Sequence, residues 1–233
     1  MRVSLVVQPV PCTGCGTEIP TSVPFFQPPP NSPQRQDVDV IVLTQDLDPE
    51  DIKDLLVSAP EFHLVPSKNP NNTYRVLWFS LLTTTTNDSA TRCKVDILTP
   101  GLLGIPPIPR QHRIFISDVP LVPLLPLIFL KLRGWTDHLA SHHRRMQEKT
   151  WVDEEDIDEM LCLGVETYAA RLEAEEAKGW MPEWFVEEGR MRAERYARAF
   201  PDSIGWWRRL GVEVNAWGGD MDEHYDDEDD WDD

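Results

Sequence analysis

Basic residues are scarce in this sequence. The 233 residues include 22 Lys and Arg against 40 Asp and Glu, which gives a formal net charge of −18. Ten of the acids, and no Lys or Arg, lie in residues 219–233, so the rest of the chain carries −8. Because proteins hold nucleic-acid backbones through Lys and Arg, we do not expect a nucleic-acid partner. A small nucleotide that binds together with metal ions is compatible with this charge.

Long hydrophobic runs are also missing. The first residues, MRVSLVVQPVP, contain only a short apolar run interrupted by Pro9 and Pro11, which does not match a secretory signal. The most apolar stretch, VPLVPLLPLIFL at 119–130, is too short to span a bilayer. We therefore expect no membrane partner and a cytoplasmic or nuclear location.

Cysteine is rare, with four residues at 12, 15, 93 and 162. Cys12 and Cys15 have the spacing of half a zinc site, but structural zinc takes four ligands and no second close pair of Cys or His follows at that spacing. We interpret the cysteines as reduced thiols. A metal or redox role for Cys12 and Cys15 is the alternative.

Proline and hydrophobic periodicity divide the chain. Residues 1–33 contain eight of the 21 prolines and indicate an irregular leader. After them the sequence predicts strands at 38–43, 61–65, 73–82, 93–98 and 113–116. Asp48 and Pro49 predict the start of a helix, with an apolar face formed by Ile52, Leu55, Leu56 and Ala59.

Helices predominate in the second half of the sequence. We expect an apolar helix over 123–134 that ends at Gly134, and another over 183–199. Between them, near-helical spacing relates a set of apolar residues: Ile157, Met160, Leu161, Val165, Tyr168 and Leu172.

This order of elements predicts an α+β fold, with a small mixed sheet and C-terminal helices. We divide the chain into the leader 1–33, an α/β core at 34–150, a helical region at 151–215 and an acidic tail at 216–233. The tail is expected to be disordered, and contact with a basic partner is the alternative.

Three acids enter the predicted strands. Asp37 and Asp39 are two residues apart in QRQDVDVIVL, so they face the same side of a strand. Asp96 lies within a second apolar strand, CKVDIL. Clustered carboxylates repel one another unless a cation joins them, and Mg²⁺ is the cation that carboxylates and phosphates share.

Other interpretations of this acidic pattern were weighed. A calcium loop would need polar ligands at alternate positions, whereas Val40, Ile41 and Val42 follow the pair. A sugar-nucleotide transferase would place its pair after an apolar strand rather than before it. In a purely structural interpretation, Asp37 caps the strand while Asp39 and Asp96 reach solvent at a sheet edge.

The acids, in this order, resemble the polymerase-beta-type nucleotidyltransferase superfamily. RQDVDVIVL followed about 55 positions later by KVDIL is similar to its pattern of Asp-hydrophobic-Asp-hydrophobic and a third acid on a neighbouring strand. The continuation LPLIFLKLRGWTDH and EKTWVDEEDIDEML is similar to small antitoxin-type and uncharacterised fungal members. The resemblance covers about residues 31–163 and implies a nucleotidyltransferase-like core.

The resemblance also implies roles for individual residues. Asp37 and Asp39 would bind two Mg²⁺ ions, and Asp96 would complete the site and help to activate an acceptor hydroxyl that attacks the α-phosphate of a nucleoside triphosphate such as ATP. Lys131 matches the helix lysine and would contact phosphates, and Arg35 is a second nucleotide-binding candidate. A Lys131 side chain that only extends from an apolar helix end is the alternative.

One departure from the family pattern bears on catalysis. Active members have a Gly-Ser or Gly-Gly turn about ten residues before the first Asp, and its amides hold phosphates. Here that segment reads VPFFQPPPNSPQRQ, and proline supplies no amide donor. We therefore expect an incomplete active site and little nucleotide transfer. The alternative function is that of a non-catalytic interaction protein that retains the fold, with an unknown protein partner.

Overall fold

The computed structural model describes residues 3–6, 37–44, 46–68, 73–80, 92–116 and 119–215, with only the backbone described at 3–6, 37 and 116. Arg35, Cys12, Cys15 and most of the leader lie outside these residues, as does the acidic tail from residue 216. The predictions made for them therefore stay predictions.

A five-stranded mixed sheet forms the first half of the fold. Its strands are β1 (Val3–Val6), β2 (Asp37–Val42), β3 (Phe62–Pro66), β4 (Arg75–Ser80) and β5 (Arg92–Leu98). The spatial order is β1-β2-β5-β4-β3. β2 and β5 pair in parallel, while the other three pairs are antiparallel. The strand with the Asp pair therefore lies directly beside the strand with Asp96.

Helix α1 (Pro49–Leu56) covers one face of this sheet. Its start follows the sequence signal, because the Asp48 carboxylate accepts hydrogen bonds from the amides of Glu50 and Asp51. Beneath it lies an apolar core made by alternate residues of the strands together with one helix residue: Val40, Val42, Ile52, Leu77, Val95 and Ile97.

The second half of the fold is helical. Strands β6 (Ile114–Ile116) and β7 (Val119–Leu121) form a separate hairpin. The helices that follow are α2 (Leu124–Ala140), α3 (Arg144–Gln147), α4 (Thr150–Cys162), α5 (Leu172–Glu176), α6 (Glu183–Ala199) and α7 (Ile204–Arg209). In the described part of the chain, no helix combines the length and the apolar composition needed to cross a bilayer.

Helix α2 lies at the centre of the helical core. Trp135 is buried against Tyr196 of α6, with 5.1 Å between ring centroids, and Tyr196 in turn contacts Phe200 and Trp207. Gly189 lets α6 approach α2 closely, because a Cβ at this position would lie 2.4 Å from the Phe129 ring. A larger residue at 189 would clash with the Phe129 ring, so this side chain or the helices would have to move.

A third apolar cluster joins the sheet to the helices. It contains Ile41 of β2, Ile105, Ile108 and Val122, and the α2 residues Leu127 and Leu130 pack against it. Ile41 alternates with Val40 and Val42 along the strand. The helical half therefore covers part of the sheet face opposite α1.

The structure confirms the mixed α+β class, the capped helix at Pro49 and the helix over 183–199. Other details were wrong. Helix α2 continues through Gly134 to Ala140, because Trp135 extends its buried stripe. Leu55 is 54% exposed, so it does not belong to the buried face of α1.

The apolar residues between 157 and 172 do not form one helix. Helix α4 ends at Cys162, a π-helical turn follows over Leu163–Thr167, and Ala169 has a positive φ of 44°. Tyr168 is 46% exposed. These apolar residues keep near-helical spacing because the turn and α5 bring Leu172 back to the core that α4 packs against. Periodicity alone cannot distinguish this arrangement from one continuous helix.

Candidate functional site

Two acids lie side by side in the sheet. The parallel register of β2 and β5 pairs Asp39 with Asp96, and paired residues of neighbouring strands project to the same face. Their neighbours Val40, Val95 and Ile97 point into the core beneath α1. Asp39 and Asp96 therefore lie on the opposite face, which we call the acidic face.

Position 37 belongs to the same face. Asp37 is two residues from Asp39 and is paired with Lys94 of β5. Since side-chain direction alternates along a strand, the backbone places positions 37, 39, 94 and 96 together. The side chain of Asp37 is outside the described part of the structure.

Lys94 brings a positive charge to the acidic face. Its ammonium donates a short hydrogen bond to Oδ2 of Asp96. The Asp96 side chain is 40% exposed and that of Lys94 31%, so water screens the ion pair and its contribution to stability is small. Sequence reasoning missed Lys94, although its spacing of two residues from Asp96 was a usable signal.

The acidic face has a covered end and an open end. Ile41 and Leu98, one alternation beyond Asp39 and Asp96, pack in the cluster that joins the sheet to α2. The partial exposure of Asp96 shows that this apolar contact stops before the acids. The acids thus lie at the edge of the junction between sheet and helices, where solvent reaches them.

The donor atoms suit magnesium, but the described residues do not supply a full ligand set. Carboxylate oxygens are the ligands that Mg²⁺ prefers, and Asp39 and Asp96 provide them from adjacent strands. Within the described ranges, no group of three or more His, Cys, Asp or Glu side chains is arranged to hold a metal ion. Asp37 would have to provide the third carboxylate.

Lys131, the predicted phosphate ligand, lies on α2 and pairs with acids of α4. Its ammonium donates to Oδ2 of Asp156 at 2.5 Å and lies 3.7 Å from Oδ1 of Asp153. The Lys131 side chain is only 19% exposed. In this structure Lys131 holds α2 against α4, and its contact with phosphates stays a prediction.

The same helix pair contains further polar contacts. Nδ1 of His138 lies 2.5 Å from Oδ2 of Asp153, which is buried, and the indole of Trp135 donates to Glu154 at 3.1 Å. These contacts surround the Asp153 carboxylate with the cationic Lys131 and an imidazole. A buried carboxylate needs such partners, so the group has a structural explanation.

Tyr196 links α6 to the same helix. Its hydroxyl donates to Asp158 at 2.9 Å. Burial, and then the nearby Asp158 carboxylate, raise the pKa of Tyr196 well above its ordinary value. Burial likewise raises the pKa of Asp158, against the opposing effect of the hydrogen bond from Tyr196. Both shifts follow from partial burial where α6 meets α4.

Clefts on the described surface include three that lie away from the paired acids. The two larger ones lie in the helical half, beside Arg190 and Arg208 and beside Asp158 and Phe200 respectively. A smaller one lies at the end of β2, next to Thr44. Neither Asp39 nor Asp96 lines any of these three clefts.

Comparison with known proteins gives no match, either to a protein-family model or to a curated protein. The functional argument therefore rests on the residues of the acidic face.

Proposed function

We propose that this protein is nucleotidyltransferase-like and binds a nucleoside triphosphate together with Mg²⁺ at the acidic face. The observation that supports this proposal is the pairing of Asp39 with Asp96 on adjacent parallel strands. An Asp-x-Asp strand beside a strand with a third acid is the arrangement that the sequence resemblance implies. A register shifted by one residue would have placed the two acids on opposite faces.

In this proposal the three acids have different roles. Asp37 and Asp39 would hold two Mg²⁺ ions, and Asp96 would complete the site and help to activate an acceptor hydroxyl. When bound, Mg²⁺ would neutralise charge on the attacking and leaving oxygens of the phosphoryl group. The reaction is attack of the hydroxyl on the α-phosphate with release of pyrophosphate.

We further propose that the active site is incomplete. The segment before Asp37 has three consecutive prolines where the resembled family has a glycine turn, and proline donates no amide hydrogen bond to phosphate. Loss of a single donor of this kind lowers turnover about 100- to 1,000-fold in other enzymes. We expect binding of the nucleotide with transfer near the background rate.

Isothermal titration calorimetry with Mg²⁺ and ATP tests the binding. The full-length chain should bind ATP only when Mg²⁺ is present, and Asp39→Asn should weaken this binding strongly because a hard cation loses a ligand charge. Asp202→Asn is the matched control, since Asp202 is an exposed acid of the helical half. Equal affinities for the wild type and Asp39→Asn would place the nucleotide elsewhere.

A second candidate is an interaction protein that retains the fold without catalysis. It is favoured by Lys94, whose ion pair with Asp96 already supplies a positive charge to the acidic face. Under this alternative Mg²⁺ and ATP do not bind, and pyrophosphate release is absent. Robust pyrophosphate release that Asp37→Ala abolishes would instead contradict the incomplete active site.

A further inference from the structure

Four side-chain positions form a straight row across the acidic face. The register pairs Asp37 with Lys94, Lys94 with Trp78, and Trp78 with His63. Paired residues share a face, so the row crosses β2, β5, β4 and β3 on the side opposite α1. The core beneath α1 agrees with this direction of the side chains, because it contains Leu64, Leu77 and Val95, which alternate with the residues of the row.

The chemical type of the side chains changes along the row. It begins beside the acids, continues with the ammonium of Lys94, and ends with the indole of Trp78 and the imidazole of His63. Trp78 and His63 are both half-buried. An acidic end, a cation and two aromatic side chains therefore follow one another along a single line.

His63 carries a polar atom that the described structure leaves unsatisfied. Its Nε2 is buried and has no hydrogen-bond partner among the described residues. A buried polar group without a partner is unfavourable, so a ligand or a water molecule that supplied a hydrogen bond to this atom would be stabilised. The imidazole can donate or accept at this position, depending on its tautomer.

We infer that Trp78 and His63 form the subsite for the base of the nucleotide, with the nucleobase stacked on the Trp78 indole and its polar edge bonded to His63. Lys94, between this subsite and the acids, contacts the triphosphate. The inference rests on the proposed function, because it takes the acidic face as the site of the metal and the phosphates.

The spacing of the sheet fits this assignment. From strand separation and rise per residue, Trp78 lies about 8 Å from Asp96 and about 12 Å from Asp39 in the plane of the sheet. This separation matches the span of a nucleotide between its phosphates and its base. Aromatic side chains are common platforms for bases because every base presents a flat π-face.

The test compares Mg²⁺–ATP with Mg²⁺–tripolyphosphate, which has the phosphates but no base, in calorimetric titrations of the full chain. Wild-type protein should bind ATP roughly tenfold to a hundredfold more tightly than tripolyphosphate, as expected for one stacked base. Trp78→Leu should remove this advantage and leave tripolyphosphate binding unchanged. Trp78→Phe, which keeps an aromatic ring, should retain most of it.

Controls separate a binding role from a structural one. Trp151→Leu changes an exposed tryptophan of α4 and should leave both affinities unchanged, while thermal unfolding reports whether each variant is folded. His63→Phe keeps an aromatic ring of similar size but removes the polar atom, and should reduce the differences in affinity among ATP, GTP, CTP and UTP.

Several outcomes would overturn the inference. Equal wild-type affinity for ATP and tripolyphosphate would exclude a base subsite, even if Trp78→Leu failed to fold. So would a Trp78→Leu variant that binds ATP normally, or one that loses both ligands equally. If neither ligand binds the wild type in the presence of Mg²⁺, the proposed function itself fails, and the base subsite fails with it.

Discussion

The sheet half of the molecule, which comprises strands β1 to β5 and helix α1, and its helical half, residues 124–215, differ in the size of their apolar cores. Among the described residues, nineteen buried side chains of the helical half form one core that includes Trp135, Tyr196 and Trp207. The core between the sheet and α1 has six described buried side chains. Since apolar burial is the main favourable contribution to folding, we expect the helical half to provide most of the stability.

The two halves also differ in where their charged side chains lie. In the helical half, Lys131 and Asp153 are enclosed between α2 and α4, where they serve packing. In the sheet half, Lys94 and Asp96 lie on an open face that the core does not use. Polar residues that packing does not require can serve binding, which is why we place the function on the sheet.

The largest effect we expect is on the stability of the helical half. Trp207 is fully buried, its indole donates to Ser203 at 3.2 Å, and its ring contacts Tyr196. Trp207→Ala should lower the free energy of unfolding by about 3–5 kcal/mol, because it leaves a large cavity. Urea denaturation followed by circular dichroism measures the change.

Trp151→Ala is the control for this variant, since Trp151 is 48% exposed and its replacement should change stability by no more than about 0.5 kcal/mol. Similar losses in the two variants would show that the burial of Trp207 does not explain its contribution to stability.

A smaller effect should follow from the charges between α2 and α4. Asp153→Ala leaves Lys131 and His138 without their shared carboxylate and should lower the free energy of unfolding by about 1–3 kcal/mol. Asp137→Ala, at an exposed position of α2, should have little effect. Affinity for Mg²⁺–ATP should be the same in both folded variants, and its loss in Asp153→Ala alone would place the helical half in the binding site.

The smallest effects should come from pH and should have opposite signs in the two halves. Burial raises the pKa of Glu50, but hydrogen bonds from Lys53 and Arg75 lower it further, so the net shift is downward. The Glu50 carboxylate therefore stabilises the fold above the ordinary Glu pKa of about 4.3, and this contribution is lost as pH falls through the lower folded-state value.

The pKa of Asp158 shifts in the opposite direction, because burial raises it in the folded state. Its ionisation opposes folding, and the penalty develops as pH rises from the ordinary Asp value of about 3.9 to the higher folded-state value. Glu50→Gln should thus destabilise the protein at pH 7, while Asp158→Asn should stabilise it. Both differences in the free energy of unfolding should disappear in acid. Urea titrations between pH 3 and pH 7 measure them, and changes of the same sign in the two variants would contradict this explanation.

Much of the fold could be predicted because its signals are local. The helix at Pro49 depends on Asp48 and Asp51, which lie within four residues of each other. The α6 helix follows from its own periodicity. The end of α2 could not be predicted from Gly134, since a glycine ends a helix only where tertiary contacts do not continue it, and Trp135 continues the buried stripe.

The candidate site was predictable only in part. Alternation along one strand relates Asp37 to Asp39, and this needs no other part of the chain. The resemblance implied that Lys131 contacts phosphates, and this stays a prediction. Its partners Asp153 and Asp156 on α4 are 22 and 25 residues away in the sequence. No local pattern identifies such partners, because helix packing brings them together.

The sequence by itself determined most strands of the sheet, the helix at Pro49 and α6, and which residues share a face within each strand, because those properties depend on neighbouring residues. Only the tertiary structure decided that β5 lies beside β2 in the register that opposes Asp39 to Asp96, and that Trp78 and His63 extend the row from Lys94. The physical reason is that strand order and register depend on contacts between distant segments, and a shift of one residue would turn every side chain of a strand to the other face.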